Sequence, residues 1–391
     1  MVESFEFYRT PKIIFGTNKI YELKQEIKYF GTKGLVITGG GSFLQSEKGN
    51  EIRKMLQTEA LSICYASVSG EPSPGDVDSI VNQHQDKIID VVISIGGGSV
   101  IDTGKAVSAM LFKNEPVKHY LEGVGFKTPD GTKVPFIAIP TTAGTGSEAT
   151  KNAVISEVGE NGFKKSLRHD NYVPDVALID PELTRECPKH ITAASGMDAF
   201  SQLLESYLST KAGIFTDSLI YKGLQCIKSS LIAAFRDGKQ NISAREDIAY
   251  AALISGIGLA NAGLGVVHGF ASSLGGTISI PHGIVCGSLM EPANRKTIEK
   301  LQKQDPDNIA LTKYAELGRM FTGNDHLKTE EAISKFLETL RLFSETLQLP
   351  KFRDFGLTEE KIFDIASKTS SKNNPVKLDR DELKDILSSR L

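Results

Sequence analysis

Two glycine-flanked segments, Gly263-Leu264-Gly265-Val266-Val267-His268-Gly269 and Ile280-Pro281-His282-Gly283, hold two of the seven histidines in this sequence. The run between them, Phe270 to Ser279, contains no charged residue. Neutral imidazoles in apolar, glycine-rich surroundings have the chemistry of buried metal ligands. The same pattern equally fits two hydrogen-bonded core histidines. An oxygen donor is available in Gly196-Met197-Asp198-Ala199-Phe200-Ser201-Gln202. An aspartate at a helix start is more often a cap or dipole partner than a ligand. Asp198 with His268 and His282 would nevertheless supply one O and two N donors with open positions, a catalytic set for a divalent ion. Asp198 and Gln202, four residues apart, share a helix face, with Glu205 one turn on.

A second group of residues suits phosphate and sugar. Gly96-Gly97-Gly98-Ser99 leaves the apolar run Val91–Ile95 and opens a helical stretch from Val100 to Leu111. Glycines allow close backbone approach, and a helix amino terminus offers free N–H groups and a positive dipole end, so Gly97, Gly98 and Ser99 fit a pyrophosphate. A plain tight turn gives the same pattern. Asp102 and Lys105, one turn apart, either brace this loop or reach its ligand. Pro140 to Thr150 carries five hydroxyls, those of Thr141, Thr142, Thr145, Ser147 and Thr150, and suits a ribose, amide or phosphate. Glu148 is predicted as the third-position acid of a capping box opening at Thr145. Gly39-Gly40-Gly41-Ser42 follows another strand run and contains no acid. An acid at such a strand end holds a ribose 2′-hydroxyl and repels a 2′-phosphate, so its absence permits NADP as well as NAD.

The elements that must position these residues fall into two halves. Gly34–Thr38, Ile63–Ala66, Val91–Ile95, Phe136–Pro140 and Val176–Asp180 read as buried strands, with helical stretches such as Val77–His84 between them. Continuous apolar strands alternating with helices predict a doubly wound parallel α/β sheet, with ligands at the carboxyl ends of the strands. Beyond Pro181 the texture becomes helical: Ala193–Thr210, Ile214–Phe235, Arg245–Asn261, Thr329–Leu347 and Asp379–Ser389. The stretch Ala249–Gly258 is apolar all round and is expected to form a buried helical axis. Glu299–Asn308 reads as a solvated surface segment. With 391 residues, two domains are expected, an α/β nucleotide-binding domain over 1–184 and an all-helical domain over 185–391.

Bulk properties exclude several classes. A net charge of −3 gives no basic footprint for nucleic acid, and no apolar run reaches the length of a membrane span. Met1-Val2-Glu3-Ser4-Phe5-Glu6 lacks the basic and apolar regions of a signal peptide, so a cytoplasmic protein is expected. Cys64, Cys187, Cys226 and Cys286 lack CxxC spacing and read as reduced, buried thiols.

The segments Gly96–Ser99, Pro140–Glu148, Gly196–Asp198, Val267–His268 and Ile280–Gly283, in this order and spacing, resemble the iron-containing (group III) alcohol dehydrogenase family from about Thr10 to Pro292. The resemblance implies a dehydroquinate synthase-like architecture: a Rossmann-like domain, a helical domain and a cleft between them. It also implies NAD(P)-linked hydride transfer to or from an alcohol or aldehyde beside a divalent metal, Fe(II) or Zn(II), in a homodimer. Thr141, Thr142 and Thr145 would contact the nicotinamide half, Lys164 would reach the ribose, and His268 and His282 would act at the reacting centre. The Gly39, Gly40 and Ser42 loop resembles that of NADP-preferring members.

The chain departs from the family pattern at two positions. Gln202 stands where a third histidine ligand is expected, and Ser272 where a proton-carrying histidine often stands. An amide oxygen is a weaker ligand, so Fe(II) affinity is expected to fall. Three alternatives follow. One is a zinc-type polyol or polyol-phosphate dehydrogenase, and another a metal-free nucleotide binder without activity. The third, a dehydroquinate synthase-like lyase, needs a basic cluster that the sequence does not show near His268 and His282. The favoured expectation is an NADPH-linked aldehyde reductase, with Asp198, Gln202, His268 and His282 around the metal.

Overall fold

A computed structural model of the chain describes residues 4–40, 42–57, 60–159 and 162–391. It divides into two compact units, one built on Tyr8–Glu157 with Lys164–Cys187, the other on Pro188–Leu391 joined by a segment ending at Phe7 and by Val158–Phe163. The sequence boundary at 184/185 thus becomes 187/188, and two short outlying segments group with the helices.

The first unit contains β1 (Lys12–Phe15), α1 (Leu23–Phe30), β2 (Lys33–Gly39), α2 (Ser42–Gln45), α3 (Glu47–Leu56), β3 (Ser62–Val68), α4 (Pro74–His84), β4 (Val91–Gly96), α5 (Gly98–Met110), β5 (Phe136–Pro140), β6 (Asn152–Glu157), β7 (Phe163–Arg168) and β8 (Val176–Ile179). Six strands form one sheet in the order β1-β8-β5-β4-β2-β3, parallel at every pairing, while β6 and β7 form a separate pair. This is the doubly wound arrangement expected from the apolar runs. β4 and β5 are buried along their whole length because helices cover both faces. Ile93, Ile95, Ile137 and Ile139 pack in one core with Val36 and Leu178. Strands β2, β4 and β5 are neighbours, so their carboxyl ends bring Gly39, Gly96 and Pro140 to one edge of the sheet.

Three strands escaped the sequence pattern. β1 is a short edge strand with Lys12 and Ile13 exposed, so no apolar run marks it. β7, Phe-Lys-Lys-Ser-Leu-Arg, is half charged, and both it and β6 lie outside the main sheet.

The second unit is helical: α6 (Lys189–Leu208), α7 (Ile214–Asp237), α8 (Ile242–Ala262), α9 (Val266–Thr277), α10 (His282–Gln304), α11 (Ile309–Thr322), α12 (Thr329–Thr346), α13 (Glu359–Lys368) and α14 (Arg380–Ser388). The apolar stretch Ala249–Gly258 lies in α8, which packs against α6 and α7, and every residue of that stretch except Tyr250 is buried. Helices α9 and α10 were hidden by their glycines. The polar segment Glu299–Asn308 is largely exposed, as expected; its first part, to Gln304, forms the end of α10, anchored by buried Ile298 and Leu301. No single helix among the described residues is long and apolar enough to cross a membrane. None of the four cysteines forms a disulfide; Cys226 and Cys286 are buried, but Cys64 and Cys187 are only half-buried, contrary to expectation.

Candidate active site

In the helical unit, four side chains from three helices converge. Asp198 comes from the middle of α6, His268 from the first turn of α9, and His282 and Cys286 from the first turns of α10. His282 and Cys286 are four residues apart and therefore share one face of α10. The start of α10 lies against the α6 backbone, and Gly283 is what permits it: a Cβ there would meet the Ala194 carbonyl oxygen at 2.1 Å. One ligand atom from each of the four side chains lies within 4.8 Å of the other three. His268 Nε2 is 3.3 Å from Asp198 Oδ1, and His282 Nε2 is 3.6 Å from the same oxygen. Cys286 Sγ sits 3.6 Å from His268 Nε2 and 3.7 Å from His282 Nε2.

Glu205, two turns beyond Asp198 on α6, holds this arrangement. Its Oε2 accepts from His268 Nδ1 at 2.7 Å and its Oε1 from the Val267 N–H at 2.6 Å. The carboxylate thus satisfies a free N–H at the start of α9 and fixes the imidazole with Nε2 turned to the cluster. Electrostatics follow from the crowding. Burial pushes the Asp198 carboxyl up, but His282 and His268 outweigh it and hold it at about 2. Burial pulls the His268 imidazole down, but Cys286, Asp198 and Glu205 together raise it well above its usual range. Burial pushes the Cys286 thiol up to about 12.

Gln202 is buried, and its Oε1 accepts from the Ser255 hydroxyl of α8 at 3.0 Å; Cys286 converges with Asp198, His268 and His282. Cys286 read as a plain core thiol; its spacing of four residues after His282 was the signal that could have revealed it. Ser272 donates to the His268 carbonyl in its own helix at 2.9 Å, so its hydroxyl is tied to the backbone.

The glycine loops lie on the sheet unit. Gly97 is the amino-terminal cap of α5, and no side chain caps that end. The loops after β4 and β5 touch: a Cβ on Gly98 would meet Thr145 Cγ2 at 2.5 Å, and one on Gly97 would meet Thr142 Oγ1 at 3.3 Å. Ser99 lies in the first turn of α5, with Thr141 beside Gly96, to whose carbonyl its N–H donates at 2.9 Å. Gly39 ends β2 and Gly40 follows; Gly41 and the Ser42 side chain lie outside the described residues.

The charged residues near these loops turn inward. Asp102 Oδ1 accepts from the Ser147 hydroxyl and Oδ2 from the Val154 N–H at 3.0 Å, so both carboxylate oxygens are engaged within the protein. Lys105 Nζ donates to the carbonyls of Ser147 (2.8 Å) and Asn152 (2.9 Å) and to the hydroxyls of Thr150 and Ser147. Together they staple α5 to the segment after β5. Glu148 sits in a short 3₁₀ turn (Ser147–Ala149) capped by left-handed Gly146 without any side-chain cap, so the capping box expected from Thr145 does not form. Burial raises the Glu148 carboxyl to about 7. Lys164, on β7, is paired with Glu71 at 2.8 Å.

Comparison with known proteins identifies the family. Residues 10–181 match the family described as iron-containing alcohol dehydrogenase, and residues 192–391 match the carboxyl-terminal domain of the same family. Alcohol dehydrogenase 4 of Saccharomyces cerevisiae is 31% identical over 389 residues, covering 97% of each chain. The NADPH-dependent butanol dehydrogenase of Clostridium saccharobutylicum is 28% identical, covering 96% of this chain and 95% of that one. The solved structure of an alcohol dehydrogenase from Oenococcus oeni superposes with a TM-score of 0.88 at 28% identity, covering 99% of this chain and all of the other. The chain belongs to the iron-containing alcohol dehydrogenase family and is an NAD(P)-dependent alcohol–aldehyde oxidoreductase.

Proposed function

We propose that the protein works as an aldehyde reductase with NADPH, assisted by a divalent ion held by Asp198, His268 and His282. The observation that carries this reading is the convergence of one carboxylate and two imidazoles, buried and clamped by Glu205, in a chain of this family. The donor set fits a divalent ion: O and N donors converge on one another, and a carboxylate orients one of the imidazoles from behind. When bound, the ion supplies Lewis-acid polarisation of a carbonyl or alkoxide oxygen, and the nicotinamide supplies or takes the hydride.

The residues of the chain supply binding and orientation. Gly97, Gly98 and Ser99 offer the open amino terminus of α5 to a pyrophosphate, with the glycines keeping that surface free of side chains. Thr141, Thr142 and Thr145 line the adjoining loop with hydroxyls for the nicotinamide half. Asp102 and Lys105 act as braces that hold both loops in place, and Lys164, tied to Glu71, is not assigned to the ribose. Glu205 keeps His268 Nε2 aimed at Asp198. NADPH is favoured because neither Gly39 nor Gly40 presents an acid to a 2′-phosphate. Relatives are named for both cofactors, an NADPH-dependent butanol dehydrogenase and an NAD-dependent methanol dehydrogenase, so the strand end carries this assignment.

Two measurements test the proposal. NADPH and NADH oxidation should be followed with a panel of short and long aldehydes, and metal content measured on protein purified without chelator. Turnover faster with NADPH, and near-stoichiometric metal that is lost in Asp198→Ala, are the expected results. Equal, negligible metal in both proteins sinks the metal assignment, and a preference for NADH sinks the cofactor assignment.

A further inference from the structure

We propose that Cys286 is the fourth protein ligand of this centre, replacing the ligand lost at Gln202, and that the resulting carboxylate–imidazole–imidazole–thiolate set holds zinc rather than iron. This rests on the metal-assisted reading above.

The geometry of the four donors carries the inference. Zinc bonds to nitrogen and oxygen are about 2.0–2.1 Å and to sulfur about 2.3 Å, so a tetrahedral site has donor–donor edges of about 3.3 Å between N and O and about 3.5 Å between N and S. The observed edges are 3.3 and 3.6 Å from Asp198 Oδ1 to the two imidazoles, and 3.6 and 3.7 Å from Cys286 Sγ to the same two nitrogens. The remaining two edges are no longer than 4.8 Å, so all four donors lie close enough together to share one ion. Sulfur therefore stands from both imidazoles at the donor–donor spacing that a shared ion requires.

Chain placement supports the same assignment. His282 and Cys286 leave one face of α10 one turn apart, as paired ligands on a helix do. Gln202 has its amide oxygen on the Ser255 hydroxyl. Cys286 and Gln202 thus exchange roles relative to a set of one carboxylate and three imidazoles: one helix gives up a nitrogen donor and another adds a sulfur. A thiolate favours zinc, whereas hard oxygen and nitrogen donors suit Fe(II) as well. Metal binding would release the thiol proton to solvent as the metal–sulfur bond forms.

The test is X-ray absorption at the zinc edge on the zinc-loaded full chain, with cobalt substitution as a second probe. One sulfur at about 2.3 Å is expected, together with a thiolate-to-cobalt charge-transfer absorption in the cobalt protein. Cys286→Ser should lose the sulfur shell and that absorption while keeping its far-ultraviolet circular dichroism. Its zinc affinity in chelator competition should fall at least about 100-fold, the upper end of the effect of outer-shell substitutions. Gln202→Ala should leave metal content and the charge-transfer absorption unchanged. Stoichiometric metal with only nitrogen and oxygen neighbours overturns the proposal but leaves the metal-assisted reading standing. A wild-type chain that binds neither zinc nor cobalt overturns both. Loss of metal in Gln202→Ala as complete as in Asp198→Ala would make Gln202 the ligand and overturn the exchange.

Discussion

Lys105 in the sheet unit and His268 in the helical unit are both buried nitrogen-bearing side chains beside carboxylates, yet their surroundings differ in kind. Around Lys105, one ammonium is met by two carbonyls and two hydroxyls, and neighbouring Asp102 has both oxygens engaged by Ser147 and Val154. Every strong donor there points at an acceptor inside the protein. Around His268, a carboxylate oxygen, a second imidazole and a sulfur point at one another across 3.3–3.7 Å. The first cluster is complete without a guest. The second gathers lone pairs that only protons or a cation can reconcile. A buried charged residue near a functional loop is therefore a brace when its partners are protein groups, and a candidate ligand when its partners are other ligands.

The sharpest way to separate the two clusters is to remove Lys105. Lys105→Met leaves Asp102 as an unpaired buried carboxylate and two carbonyls without their donor. Breaking such a pair should lower stability by about 3 kcal/mol or more, read as a lower urea midpoint with an unchanged slope. Metal content per folded protein should stay the same. If metal falls in parallel with stability, the clusters are not independent.

Glu148 extends the same test through pH. Its carboxyl titrates at about 7 in the fold against an ordinary value of 4.5, because burial disfavours the charge. Between those values the folded chain keeps a proton that the unfolded chain has released, so stability should fall as pH rises from 4.5 to 7. The total loss is on the order of 3 kcal/mol. Glu148→Gln should flatten that slope and be the more stable protein above pH 7. An identical slope in both proteins would assign the pH dependence elsewhere.

In the helical unit, Glu205→Gln tests the clamp behind His268. The amide can still meet Val267 or Nδ1 but carries no charge. Metal affinity should fall about 10–100-fold, the usual effect of losing a carboxylate behind a ligating histidine. The urea midpoint should move far less than in Lys105→Met. Unchanged affinity would reduce Glu205 to a helix-end partner.

How much of this was legible in the sequence follows the physics of each part. The strands β2, β4 and β5 were visible because burial on both faces demands unbroken apolar runs. β1 was invisible because an edge strand with Lys12 and Ile13 exposed needs no such run. Helices α9 and α10 were missed because backbone-to-backbone packing, as at Gly283, places glycines where helix formers would otherwise stand. In the site, Asp198, His268 and His282 stood out by residue type. Cys286 did not, because a buried thiol is common in any core and only the three-dimensional convergence of α6, α9 and α10 distinguishes it. The inward turn of Asp102 was one of two open alternatives, since a carboxylate at a loop reads the same whether its partner is a ligand or Val154 N–H.

The smallest expected effect probes the part of the nucleotide unit that uses the least side-chain chemistry. Gly39 ends β2 with a backbone that needs no positive φ, and an added Cβ would have Val100 Cγ2 as its nearest neighbour at an ordinary 3.6 Å. Gly39→Asp should therefore fold normally, unlike a side chain at Gly98, which would collide with Thr145. The new carboxylate would sit at the strand end where an acid binds a ribose 2′-hydroxyl and repels a 2′-phosphate. KM for NADPH should rise on the order of tenfold, about 1.4 kcal/mol, while KM for NADH stays level or falls and metal content does not move. An unchanged ratio of the two constants would mean that the β2 end does not face the adenosine ribose, and that the preference is set by side chains elsewhere rather than by the absence of an acid at Gly39.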